Sequence, residues 1–195
     1  MQRTLGLLGA YLAVACAFVR PSSPETFRRY LIGNWQVKKR YVYRSGGMSG
    51  TWKGEASFRM LDVMASPALL TYNESGTFTP GGVDTGKDSA TTRNRLLYDF
   101  SSPLSAEVFY DLLPDEERFS TNAVVSAASY LYSLTPQYDG RMTIEQLRVD
   151  GGDAEYSGSM EIEAPNAFIS TWHVRGSQAG EIVALYQREM DNEDL

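Results

Sequence analysis

The sequence predicts an all-β domain: an antiparallel up-and-down barrel of about eight to ten strands with one short helix at its N-terminal side. Three observations predict it. From Asn34 onward, apolar and polar residues alternate with period two in one segment after another. Stretches rich in glycine, proline, serine and asparagine, short enough for hairpins, separate those segments. Only one stretch of the domain, just before Asn34, carries clear helical spacing. A barrel is expected rather than a sandwich because the segments are long and closure removes their exposed edges.

The chain opens with Arg3, an apolar run from Leu5 to Val14, and Ala15-Cys16-Ala17. A charged start, a short apolar core and small residues at a cleavage point are the layout of a secretory signal peptide over residues 1–17. The run is too short for a transmembrane helix, which needs about 20 apolar residues. Ala17-Phe18 followed by Val19-Arg20-Pro21-Ser22-Ser23 resembles the bipartite plastid presequences of algae with secondary plastids. That implies a short transit segment over 18–22 and a non-cytosolic address, the plastid first and the secreted or endomembrane route second. A single domain is expected over 23–190, with an acidic tail over 191–195.

Ser22-Ser23-Pro24-Glu25 reads as a helix start, either as a capping box from Ser22 to Glu25 or with Ser23 as cap and Pro24 at the first helical position. Phe27, Tyr30 and Leu31 fall on one face, and Gly33 is a natural stop. The helix is expected to plug, or lie against, one end of the barrel. Trp35, Val37, Lys39, Tyr41 and Tyr43 then share one face of a first strand. A Ser45–Gly50 turn leads to a second strand carrying Trp52, Gly54, Ala56 and Phe58 on one face. Leu69 to Phe78 is a third strand, followed by a glycine-rich loop from Thr79 to Ser89. Arg93 to Phe100 and Ala106 to Leu113 form a further hairpin. Phe119 to Leu134 is ambiguous, and Ala123 to Tyr132 fits a short helix or a strand. Gly140 to Val149, Ala154 to Glu163, Ala167 to Arg175 and Gly180 to Met190 are four more strands.

Composition narrows the chemistry. Cleavage after Ala17 removes Arg3 alone among the charged residues, so the formal net charge of −6 becomes −7. An acidic chain without a basic run is a poor ligand for nucleic acid or an anionic membrane. Cys16 is the only cysteine and leaves with the signal peptide, which excludes disulfides and thiol chemistry in the mature domain. One histidine, His173, cannot build a His-rich metal site, and its phase beside Trp172 and Val174 points it outward. No metal site or catalytic residue is assigned, the cofactor is left open, and Asp115-Glu116-Glu117 reads as a solvated loop run.

Two charged residues break the pattern. Lys39 sits on the interior phase of the first strand, and Glu74 shares a phase with Leu70 and Tyr72 on the third. Buried charges need partners, so the two are expected to pair in the lumen or to stand wet at its mouth. They are read as a polar anchor for a ligand, with Arg93 or Arg95 as a further cation near the lumen. The rings of Trp35, Tyr41, Tyr43, Trp52, Phe58, Tyr72, Tyr98, Phe109, Tyr156, Trp172 and Tyr186 are a large set, of which half would suffice for a packed core, so they either line a ligand cavity or simply fill the lumen.

The placed strands resemble the DUF6314 family of small domains of unknown function. Leu31-Ile32-Gly33-Asn34-Trp35 with Lys39 matches an opening L-x-G-x-W segment. Gly50, Gly54, Ala56 and Phe58 match its second strand, and Tyr72, Glu74 and Gly76 a Y-x-E-x-G strand. Arg93 or Arg95 with Tyr98 and Phe100, Tyr156 with Gly158, Trp172 with Val174 and Gly176, and Tyr186 with Arg188 follow in order. The chain departs from the family pattern at Arg118-Phe119-Ser120, where a His-containing stretch is expected, and at Ser177-Gln178-Ala179, where Pro and Lys are expected. The stretch from Asn122 to Asp150 looks longer than the family's and is read as an insertion. The resemblance implies a calycin-like barrel and no established activity.

The leading functional expectation is a non-enzymatic barrel protein that binds a small apolar or amphipathic ligand, such as a lipid, pigment or tetrapyrrole, in its lumen. Lys39, Glu74 and Arg93 would hold its polar end, and Tyr72, Tyr98 and Trp172 would line the wall. The alternatives are a structural or assembly subunit of an organellar complex, docking a protein partner through residues 122–150, and a lyase-type enzyme using the lumen.

Overall fold

The computed structural model describes residues 20–61, 68–81, 89–111, 129–148 and 153–188. The expected signal peptide over 1–17, the acidic tail over 191–195, the 115–120 stretch and residues 82–88 of the glycine-rich loop lie outside them. Among the described residues no helix is long and apolar enough to cross a membrane.

Helix α1 spans Pro24–Leu31. Of the two starts open in the sequence, Ser23 is the cap: its hydroxyl accepts from the Thr26 amide, and the Thr26 hydroxyl accepts from the Ser23 amide. Glu25 is not part of this box. It accepts instead from Arg28 at 2.8 Å and Arg29 at 2.8 Å, which hold its carboxyl down at about 2. The helix stops at Leu31, and Gly33, with φ of +136°, already belongs to the first strand. Phe27 and Leu31 are fully buried, so the expected apolar face does plug one end of the barrel.

Ten strands follow: β1 (Gly33–Tyr43), β2 (Gly50–Met60), β3 (Leu69–Pro80), β4 (Ala90–Asp99), β5 (Ala106–Tyr110), β6 (Ser129–Pro136), β7 (Met142–Arg148), β8 (Glu155–Ala164), β9 (Ala167–Arg175) and β10 (Gly180–Gln187). Each pairs antiparallel with the next, and β1 pairs with β10, closing the barrel. The ambiguous segment before Leu134 is a strand over Ser129–Pro136. Residues 129–148, within the stretch read as an insertion over 122–150, are therefore two staves of the wall, β6 and β7.

The alternation places the interior as expected. Trp35, Val37, Lys39 and Tyr41 stand opposite Ala56, Gly54, Trp52 and Gly50 of β2, and opposite the inward residues of β10 on the other side. Phe109 is an exception. It pairs with Leu97 on the outward phase, next to a bulge between Val108 and Phe109, and packs with Leu69 and Leu97 in a small cluster outside the lumen.

Gly54 and Gly76 face each other across β2 and β3. A Cβ on Gly54 would lie 2.5 Å from the Gly76 Cα, and one on Gly76 would lie 2.4 Å from the Trp52 ring. The missing side chains are what let the Trp52 indole lie flat against the wall. Wall height varies: β3 has 12 residues and β5 has five. At about 3.3 Å per residue, the barrel is tall around β1–β3 and low at β5.

Candidate functional site

The helix-capped end of the lumen is filled. The Trp35 and Phe168 rings meet edge to face at 4.8 Å, and Phe168 stacks on Tyr186 at 4.2 Å. Their polar atoms find backbone partners, Trp35 Nε1 donating to the Leu31 carbonyl at 2.8 Å and the Tyr30 hydroxyl to the Ala164 carbonyl at 2.9 Å. The Arg188 guanidinium lies over the Trp35 ring at 4.2 Å and the Tyr30 ring at 5.2 Å. Its Nε and Nη2 are buried without a hydrogen-bond partner, and burial pulls its pKa down. Aromatic faces are its counter-charge.

Above this plug the polar anomalies meet. Lys39 Nζ donates to Glu74 Oε1 at 2.5 Å, with side-chain exposures of 14% and 5%. This is the lumenal pair expected from the alternation, not a pair of wet charges at the rim. The Tyr72 hydroxyl donates to Glu74 Oε2. The Tyr186 hydroxyl is 3.1 Å from that of Tyr72. Tyr72 has spent its one proton on the carboxylate, so Tyr186 is the donor between them. Both carboxylate oxygens are thus engaged, whereas Lys39 uses one of its three N–H donors on Glu74 and rests 4.8 Å from the Trp52 ring centre.

The surrounding tyrosines are held neutral. Burial first, then the charge of Glu74 and neighbouring hydroxyls, pushes Tyr72 and Tyr186 well above the usual tyrosine value. Burial also raises Tyr98 and Tyr132, whose hydroxyls are hydrogen-bonded to each other. Tyr41 is pushed up to about 12, by burial and then by Glu74. All five are uncharged hydroxyls at neutral pH.

Two spaces adjoin this network. An inner chamber of about 460 Å³ lies against Lys39, Tyr98, Tyr132, Ser170, Trp172 and Ala184. A vestibule of about 500 Å³ opens toward the β1–β2 turn, past Tyr41, Tyr43, Met48, Trp52 and Phe78. Lys39, Tyr41 and Asn94 border both. A larger concavity, about 820 Å³, runs along β1–β4 and is lined mostly by outward polar residues such as Ser57, Asn73 and Ser75, with Glu74 and Asn94 also on its border.

Of the residues singled out in the sequence, Lys39, Glu74 and Tyr72 form the network, and Tyr98 and Trp172 line the inner chamber beside it. Arg93 pairs with Ser75 on the outward phase and is exposed, outside the hydrogen-bonded network but on the border of the vestibule. Arg95 is likewise outward, with Nη2 3.6 Å from Asp111. The lumenal residue of that stretch is Asn94, opposite Glu74. Sequence reasoning also passed over Tyr132, Phe168 and Ser170. The phase of Trp172 would have found Ser170, two residues earlier on the same strand. His173 is exposed, as expected, with Nδ1 3.6 Å from Glu181. Among the described residues, no group of three or more His, Cys, Asp or Glu is placed to hold a metal ion.

The DUF6314 model, described as a family of unknown function, matches residues 31–188, and the chain belongs to that family. No curated protein matches the sequence. Among solved structures the chain is similar to the S-type phycobiliprotein lyase CPES from Guillardia theta, at 11% identity and a TM-score of 0.57, covering 87% of this chain and 94% of that one. It is also similar to EF1p2_mFAP2b bound to DFHBI, at 14% identity and 0.39, covering 83% and 95%. A de novo designed fluorescence-activating barrel matches at 12% identity and 0.39, covering 83% and 96%. At these identities the likeness is one of fold.

Proposed function

We propose that the protein binds a small apolar or amphipathic molecule in the barrel lumen and does not transform it. The observation that carries this reading is the inner chamber of about 460 Å³, walled by aromatic rings and bordered by the Lys39 ammonium. Ligand sites typically measure about 300–1,000 Å³ and combine apolar walls with a few placed polar groups. Glu74 and Tyr72 position Lys39; Tyr98 and Trp172 supply wall. Pigments stand beside lipids among the ligand classes to test, a choice supported by the likeness in fold to a phycobiliprotein lyase.

Native mass spectrometry of the protein purified from its own cells, before and after unfolding, tests the proposal. A small molecule released on unfolding supports it. An apo mass, together with no quenching of tryptophan fluorescence by any apolar probe, would overturn it. Ser170→Phe, which fills the chamber, should abolish binding.

A lyase-type reaction is the second reading, favoured by the hydrogen-bonded chain Tyr186–Tyr72–Glu74–Lys39, which could carry a proton. Activity retained in both Lys39→Met and Glu74→Gln would count against it. The proposed address is non-cytosolic, with the plastid first. A mature N-terminus at Phe18, read by N-terminal sequencing, is the expected result.

A further inference from the structure

The two spaces of the lumen adjoin each other. They share Lys39, Tyr41 and Asn94, so the cationic point lies between them. The aromatic lining continues on both sides. In the inner chamber Tyr132 meets Trp172 edge to face at 5.1 Å, and in the vestibule Tyr41 meets Phe78 at 5.3 Å. A ligand with a terminal charged head would place that head at Lys39 and its tail in one chamber, leaving the rings of the other against water.

The donors at this point favour an acceptor. Glu74 has both oxygens occupied, by Lys39 and Tyr72, and borders the vestibule but not the inner chamber. Lys39 does border it and has N–H donors to spare, and Asn94 of β4 adds an amide beside them. A carboxylate or carbonyl placed there gains a charge-assisted hydrogen bond.

Resting on the lumen-binding reading, we infer that the protein selects an elongated molecule whose carboxylate or carbonyl lies mid-molecule, with one apolar arm in the inner chamber and the other in the vestibule. Lys39 holds the central acceptor, and Phe78 and Trp172 contact opposite arms.

Two isomeric probes separate this from a head-and-tail ligand: palmitate, with its carboxylate at the chain end, and 2-hexyldecanoate, with the same atoms and its carboxylate mid-chain. Both are titrated against 1-anilinonaphthalene-8-sulfonate bound to the full-length protein. The expected result is that 2-hexyldecanoate displaces the dye at about tenfold lower concentration, the scale of about two further buried methylenes, because palmitate with its head at Lys39 fills one chamber only. That preference should vanish in Lys39→Met. Should that variant fold poorly, Lys39→Met/Glu74→Leu removes both charges together and reads the same loss. Phe78→Ala and Trp172→Ala should each weaken 2-hexyldecanoate.

Palmitate binding as tightly as its isomer, or Phe78→Ala leaving 2-hexyldecanoate unchanged, would overturn the inference and leave lumen binding standing. The same holds if neither probe displaces a dye that Ser170→Phe excludes. A dye that fails to bind, or that ignores Ser170→Phe, would remove the lumen reading and this inference with it.

Discussion

The two ends of this barrel are lined by the same kinds of residue and do opposite things. At the helix-capped end, Trp35, Phe168 and Tyr186 pack on one another, backbone carbonyls take the Trp35 and Tyr30 protons, and the Arg188 cation is covered by rings. At the open end Tyr41, Tyr132 and Trp172 meet one ring each, and the polar atoms of Lys39 and Asn94 border empty space. Aromatic content therefore does not say whether a lumen is filled. An element that closes the end does: α1 supplies Phe27 and Leu31, and nothing equivalent among the described residues stands over the vestibule.

The largest expected effect contrasts one ring from each end. Trp35→Ala should cost about 3–5 kcal/mol in urea unfolding, because it opens a cavity in the packed plug. Trp172→Ala should cost far less and instead weaken probe binding. Equal losses of stability from the two would erase the distinction between a structural end and a binding end.

The polar centre comes next. Glu74→Leu leaves Lys39 without its carboxylate and should destabilise by about 3 kcal/mol. Lys39→Met/Glu74→Leu should return close to wild-type stability, since the cost lies in the unpaired charge and not in losing the pair. A double variant as unstable as the single one would mean that the network props the wall sterically.

Alkaline pH probes the tyrosines between the two ends. Tyr72, Tyr132 and Tyr186 titrate in the folded state well above the ordinary value of 10. Below that value both states are protonated and stability does not depend on these groups. Above it the unfolded chain loses protons first, so stability should fall by about 1.4 kcal/mol per pH unit for each buried tyrosine. Tyrosinate absorbance of the folded protein should show Tyr41 ionising at about 12. Ionisation of the lumenal set near its ordinary value would mean that water reaches the network.

The smallest effect is at the plug's own start. Ser23→Ala removes the capping box and should cost about 1 kcal/mol by thermal unfolding, with probe affinity unchanged. A change in affinity would couple α1 to the open end.

Much of the site was legible in the alternation. Lys39 and Glu74 announced themselves as charges on an apolar phase, and Tyr72, Tyr98 and Trp172 as its rings. Even the outward placements were written there: Arg93 lies five residues before Tyr98 and so faces the other way, and Phe109 directly follows the inward Val108. Phe109 was grouped with the lumenal rings by residue type where phase should have decided. The β6 segment was ambiguous because Ser, Ala and Val between 123 and 129 fit either period.

What the sequence determined by itself is therefore the family, most of the strands, their inward faces and the helix with its apolar side. These are local consequences of backbone pleat and hydrogen-bonding side chains, set within a few residues of one another. Only the tertiary structure decided that Lys39 meets Glu74, 35 positions away, that Trp52 lies across Gly54 and Gly76, and that space remains around Lys39. Those facts depend on ten strands closing in one register. Closure sets the lumen's width, and volume belongs to the whole ring rather than to any strand in it.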